Sequence, residues 1–266
     1  MPYRRPLISD FEKSRRDHPG WPVVISEGDS WFSYADVIGR LDDPKDSALP
    51  KDQRPWSLLR LEKAGDEVMT ILSGAQRSKL RAYLKRWPLD ALLFSGGGND
   101  IIGPDLLPLL RDFSPGAVAR DLVQFARFER RIRQIQDCYR ELLDLLSDAG
   151  QTCRVFVNSY DYVVPSDRGA ELLFVKVSGP WVKLYLEERK IPASLWPDVM
   201  TLLIDAFVTA LEQVAAEPRG VGRLVRVETR ALVRGDWRDE IHPDGKGARR
   251  VAKAFESALA AAGVLA

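Results

Sequence analysis

Three short polar segments carry residue types suited to acid–base and nucleophilic chemistry, and each follows or closes an apolar run. Ser30 stands in Gly28-Asp29-Ser30, Asn99 in Gly96-Gly97-Gly98-Asn99-Asp100, and His242 in Asp239-Glu240-Ile241-His242-Pro243. A serine hydroxyl is a poor nucleophile until an adjacent base accepts its proton, and histidine is the side chain that titrates near neutral pH. His242 is one of 2 histidines. The other, His18, lies in a polar amino-terminal segment and reads as a surface residue. Both motifs also suit quieter roles. Serine is a favoured helix N-cap, and His242 beside Pro243 suits a surface position at the start of the final helix.

These residues need a scaffold that brings them together. Five apolar runs, at 22–26, 57–62, 91–96, 154–160 and 223–228, recur between longer helical stretches. Strands alternating with helices imply a parallel sheet covered on both faces. The three polar segments then fall at the sheet's carboxyl edge, where open α/β folds bind ligands. The longest predicted helix, 117–148, carries Val118, Leu122, Phe125, Ile132, Ile135, Tyr139, Leu142 and Leu146 at the spacing of one buried stripe. Its arginines read as the solvated face. A stretch at 161–217 is longer than a simple crossover requires. Within it "GPWVKLYLEERKIP" predicts a short helix bounded by Pro180 and Pro192, and "DVMTLLIDAFVTALEQVAAE" predicts the crossover helix. No repeat or composition break marks a linker. The expectation is one domain, 1–266, with a cap inserted around 161–195.

Composition narrows the class. The chain has 266 residues, 45% hydrophobic and 29% charged, which suits a soluble α/β unit with a sizeable core. The formal charge of +1 gives no footprint for nucleic acid or an anionic membrane. Neither a signal-peptide core nor an integral membrane segment is evident in the sequence, so a cytoplasmic location is expected. Cys138 lies in a helical pattern and Cys153 just before a strand, and both read as free, buried thiols.

The blocks "GDSW", "GGND" and "DEIHP", in that order near the start, middle and end, resemble those of the SGNH hydrolases, also called GDSL-type esterases. The resemblance implies a flavodoxin-like three-layer α/β/α sandwich with a five-stranded parallel sheet. It implies hydrolysis of lipid, small acyl or carbohydrate esters by a serine nucleophile, with no metal and no other cofactor. Carried over by position, Ser30 is the nucleophile, His242 the general base and Asp239 the group that orients the imidazole. Asp236 and Glu240 are nearby carboxylates, and Asp236 is an alternative orienting group. The oxyanion donors implied are the Ser30 N–H, the Gly65 N–H and the Asn99 side chain, with Gly74 an alternative to Gly65.

Some features depart from the family pattern or stay open. Trp31 replaces the leucine of the GDSL name, and Trp31, Phe32 and Tyr34 suit either a substrate pocket or the core of the first helix. Trp237 suits a cleft wall or a loop anchor. Trp181, Leu184 and Tyr185 are spaced to share a helical face, which suits either a lid over the substrate or plain packing. Gly96 to Gly98 could suggest a phosphate loop, but the lysine and hydroxyl of such a loop are missing. The same residues would serve acyl transfer, and a noncatalytic binding protein on this fold is the reading from another class. The partners expected are small-molecule, lipid or carbohydrate esters, and the oligomeric state is not legible in the sequence.

Overall fold

The computed structural model describes residues 8–42, 56–172 and 175–265. The first seven residues of the polar amino-terminal segment lie outside them. In chain order the elements are α1 (Ile8–Asp17), β1 (Val23–Gly28), α2 (Ser30–Ser33), α3 (Val37–Asp42), β2 (Ser57–Arg60), α4 (Val68–Ile71), α5 (Gly74–Arg86) and β3 (Ala91–Ser95). They continue with α6 (Phe125–Asp148), β4 (Arg154–Asn158), β5 (Ala170–Leu172), β6 (Val175–Ser178), α7 (Lys183–Glu188), α8 (Trp196–Ala216), β7 (Leu224–Val227) and α9 (Gly245–Ala261).

Each of the five apolar runs contributes a strand to one parallel sheet, in the order β2-β1-β3-β4-β7. The chain steps outward from β1 to β2 and then returns to β3 on the other side. That reversal opens a crevice at the carboxyl ends of β1 and β3. Strands buried on both faces read as continuous apolar runs rather than alternating ones, and every residue of β3 is buried. On one face α2 and α3 pack with α9, Phe32 meeting Phe255 edge-on at 5.4 Å. On the other, α4, α5 and α8 pack against α6, where Tyr139 stands edge-on to Phe94 of β3 at 5.6 Å. The result is the three-layer α/β/α sandwich expected.

The long helix begins later than its periodicity predicts. Residues 119–122 form a 3-10 turn, Val123 pairs with Leu110, and Val118 is exposed. The Asp121 carboxylate accepts the Val118 N–H at 3.1 Å, closing a local turn that competes with helix. Cys153 is buried as expected, but Cys138 is only half-buried, because it lies beside the stripe of Ile135, Tyr139, Leu142 and Leu146 rather than on it. Both thiols are free.

The segment after β4 folds as an antiparallel pair, β5 and β6, followed by α7. Trp181 precedes α7 and Leu184 is exposed, so the expected shared face of Trp181, Leu184 and Tyr185 does not form. The packing face is Val182 and Leu186, both fully buried. The stretch Ala193–Ala216 is long and apolar enough to cross a membrane by length and composition. Half of its most apolar 18-residue window is buried inside the protein, and Val199, Leu203, Phe207 and Leu211 of this helix pack in the core.

A buried ionic cluster fixes the turn after α2. Arg60, at the end of β2, pairs with Glu62 at 2.5 Å and Asp36 at 3.3 Å and donates to the Phe32 carbonyl at 3.2 Å. Glu62 also accepts the Ser26 hydroxyl at 2.7 Å. Removing one partner would leave an uncompensated buried charge, at a cost of about 3–5 kcal/mol. Among the described residues Glu27 forms no ion pair, and Lys79 is the least of the influences on it. Burial pushes its carboxyl up to about 7, and the nearby Glu62 and Asp66 add to that, while the Gly28 N–H opposes it. Its folded-state value lies above the unfolded one, so its contribution to stability is present below about pH 4.5 and is lost as the pH rises through about 7. Glu27→Gln keeps an acceptor for Gly28 and removes the titration. The stability difference between Glu27→Gln and the unsubstituted protein should therefore grow in the variant's favour from pH 5 to pH 8, by up to about 3 kcal/mol. Thermal unfolding at several pH values checks it, and a pH-independent difference would refute it.

Candidate active site

The first motif lies in a tight approach between β1 and β3. Gly28 has φ 148, and a Cβ there would lie 2.3 Å from the Ser95 carbonyl oxygen, so no larger residue fits. Asp29 then caps α2, its carboxylate accepting the Trp31 N–H at 3.0 Å. The cap is thus Asp29 and not Ser30, which is the first residue of the helix. With the cap supplied by its neighbour, the Ser30 hydroxyl is free for another partner.

That partner comes from 212 residues away. His242 Nε2 lies 2.7 Å from Ser30 Oγ, and His242 Nδ1 lies 2.8 and 2.9 Å from the two oxygens of Asp239. Asp239 also accepts the Ile241 and His242 N–H groups at 3.0 and 2.9 Å. All three residues are buried. His242 is therefore a buried residue rather than a surface one. An imidazole whose Nδ1–H is held by a carboxylate presents Nε2 as an acceptor to the hydroxyl. Asp236 does not compete for it. It pairs with Arg250 of α9 at 2.6 Å, and that guanidinium holds its carboxyl below the usual range. Two aromatic rings meet the imidazole edge-to-face, Tyr34 at 4.8 Å and Trp181 at 5.3 Å.

The GGND block forms the loop after β3. Its glycines answer to packing: a Cβ on Gly97 would lie 2.6 Å from the Phe207 ring, and one on Gly98 would lie 2.8 Å from the Tyr160 ring. Asp100 binds the loop to the start of α4 by accepting the Val68 and Met69 N–H groups at 2.8 and 3.3 Å, and burial raises its carboxyl to about 6. The Asn99 side chain donates to the Asp66 carbonyl at 2.9 Å. One N–H of the amide is thereby engaged and the second is left available for another acceptor. Gly65 precedes Asp66 on the loop after β2 with φ 83, a left-handed conformation that favours glycine, and it is exposed. Gly74 opens α5 instead.

Ser30 and Asn99 line one narrow cavity, walled by Trp31, Ile101, Ile102, Tyr160, Val163, Ile204 and Ile241. Its volume is about 30 Å³. Trp31 is thus a cavity wall, held by its indole N–H donating to the Ile241 carbonyl at 3.0 Å. Trp237 is not in the wall but packs behind Trp31, with ring centroids 6.3 Å apart. Trp181 lies against His242 and not over the cavity.

Sequence reasoning passed over Tyr160 and Ser95. Tyr160 has φ 58, and its hydroxyl donates to Asp29 at 2.5 Å, while Ser95 donates to the other Asp29 oxygen at 2.7 Å. Burial pushes both the Asp29 carboxyl and the Tyr160 phenol above their ordinary values, and the hydrogen bonds offset part of this at Asp29. The available signal was the polar run "NSYD" closing the fourth apolar run, at the same sheet edge as the other motifs.

No protein-family model matches the chain, and no curated protein matches it in sequence. Solved structures do. The lipase Lip_vut3 from a goat rumen metagenome is 15% identical with a TM-score of 0.55, covering 89% of this chain and 97% of its own. An extracellular lipase from Streptomyces rimosus is 13% identical with a TM-score of 0.52, covering 89% and 99%. A Bacteroides ovatus protein assigned as a GDSL-like lipase is 11% identical with a TM-score of 0.51, covering 93% of this chain and 55% of its own. At these identities the likeness is one of fold. The five-stranded parallel sheet, its strand order and these likenesses together show that the chain has the SGNH hydrolase fold.

Proposed function

We propose that the protein is a serine ester hydrolase that works through an acyl-enzyme on carboxylic esters with a short acyl group. The observation that carries this is the continuous hydrogen-bonded line from Ser30 Oγ through His242 to Asp239, opening onto a cavity. Ser30 Oγ attacks the acyl carbonyl while His242 Nε2 takes its proton. The imidazolium, stabilised by Asp239, then gives that proton to the departing alcohol, leaving the acyl group on Ser30. Water, deprotonated by the same nitrogen, attacks the acyl-enzyme and releases the acid. The negative oxygen of each tetrahedral intermediate is met by the Ser30 N–H, which begins a helix and has no intrahelical acceptor, by the second amide N–H of Asn99 and by the Gly65 N–H. The short acyl group follows from size. A volume of about 30 Å³ holds about two water-sized spheres, room for about two carbons beyond the carbonyl. The segment at 161–195 serves as the cap of this single domain.

Ser30→Ala and His242→Ala should each abolish nearly all esterase activity without loss of fold. Because residues of one catalytic unit act nonadditively, the double variant should be little worse than either. Multiplying losses would show that the two do not work together. Asn99→Ala should lower kcat by roughly a hundred- to a thousandfold with little change in KM, and a rise in KM alone would make Asn99 a substrate contact instead. With p-nitrophenyl esters of graded length, kcat/KM should peak at acetate or propionate and fall beyond butyrate. Ile204→Ala should move the optimum to longer chains, each added CH₂ contributing about 0.8 kcal/mol once it has an apolar wall to meet. An optimum that Ile204→Ala leaves in place would refute the cavity as the acyl site.

A further inference from the structure

Glu240 stands between Asp239 and His242 in sequence, yet its carboxylate is used elsewhere. The residue is fully buried. One oxygen accepts the Lys183 and Ser166 N–H groups at 2.6 and 3.2 Å, and the other accepts the Val182 N–H at 2.8 Å and the Trp181 N–H. Its own N–H donates to the Arg168 carbonyl at 3.1 Å. All these partners lie in the segment inserted between β4 and α8. The Trp181 carbonyl in turn accepts the Gly103 N–H at 2.8 Å, so this tryptophan's backbone is pinned from two loops at once. Its indole meets the His242 ring at 5.3 Å and 90°.

The bonds at Nδ1 and Nε2 define a line through the imidazole but leave the ring free to rock about it. Contacts on the ring must limit that motion if Nε2 is to stay aimed at Ser30 Oγ. We propose that Glu240 is a positioning residue for His242: it fastens the inserted segment to the loop bearing Asp239 and His242 and thereby holds the Trp181 indole against the imidazole. This rests on the serine-hydrolase reading of the site. Glu240 touches neither substrate nor reacting atoms, and it acts through Trp181.

The test uses the full chain with Glu240→Gln, Trp181→Ala, Trp181→Phe and the double variant Glu240→Gln/Trp181→Ala. Glutamine keeps the shape but sets an NH₂ against backbone N–H donors that now meet an oxygen. Three quantities are read: kcat and KM on p-nitrophenyl acetate, the rate at which a p-nitrophenyl phosphonate labels Ser30, and the His242 ring resonances, with those of His18 identified by His18→Gln. Glu240→Gln and Trp181→Ala should each lower kcat by roughly 10- to 100-fold, since a small misplacement of a catalytic group costs that much, with KM nearly unchanged. Phosphonate labelling should slow in parallel, both variants should shift the His242 resonances, and the double variant should match the worse single one. Trp181→Phe should recover most of what Trp181→Ala loses, and that pair decides the matter if Glu240→Gln does not fold. A Glu240→Gln protein with lowered Tm but unchanged kcat and labelling would overturn the proposal, as would losses that multiply in the double variant. Failure of the unsubstituted protein to label at Ser30 would instead refute the hydrolase reading. In that case the His242 resonances still report on Glu240, and unshifted resonances in Glu240→Gln would overturn its positioning role as well.

Discussion

A carboxylate taken out of water costs several kcal/mol unless hydrogen bonds or opposite charge replace its hydration. The carboxyl edge of this sheet buries Asp29, Asp100, Asp161, Asp239 and Glu240, and the loops there are arranged around that demand. Asp29 binds the turn after β1 to Ser95 at the end of β3 and Tyr160 after β4. Asp100 binds the loop after β3 to α4, and Asp161 accepts the Ala231 and Val233 N–H groups at 2.6 and 2.7 Å, joining the loops after β4 and β7. Each acid ties together segments that the strands deliver side by side. Loops are ordinarily the mobile part of a fold, and here such ties replace the packing that holds an interior rigid.

The same ties shape the apolar cavity. Trp31 and Tyr160 are large aromatics, and each has its polar tip engaged, the indole by the Ile241 carbonyl and the phenol by Asp29. Buried aromatics with satisfied polar groups hold one orientation. Together with Ile101, Ile204 and Ile241 they leave room for a small group only, and the wall is drawn from loops after β1, β3, β4 and β7 as well as from α8. The size of the cavity therefore depends on how these loops meet, and Ile204 of the crossover helix sits where it can change that size.

Local pattern made much of this legible. A parallel sheet needs continuous apolar strands, and the ends of all five lie within two residues of the ends of the apolar runs. The spacing of Asp239 and His242 fits one turn, and Ser30 follows a glycine that the closeness of β3 demands. Those features depend on residues near one another in the chain, so type and spacing carry them. The start of α6 was misjudged because a side-chain-closed turn at Val118 continues an apolar period without continuing the helix.

Tertiary structure decided the rest. Asp236 stands in sequence as an alternative to Asp239, and Arg250 on α9 separates them by occupying Asp236. Trp31, Trp181 and Trp237 looked alike as pocket candidates, yet one lines the cavity, one meets the imidazole and one packs behind the first. Tyr160 belongs to the site only because β4 lies beside β3, which brings its hydroxyl to Asp29 131 residues away. The sequence by itself determined the strands, the order of the motifs and the edge at which they emerge, because backbone sterics and hydrophobic period are local. Which carboxylate meets which N–H, and how much space the loops leave between them, was decided only in three dimensions, because those pairings are chosen by packing between distant segments.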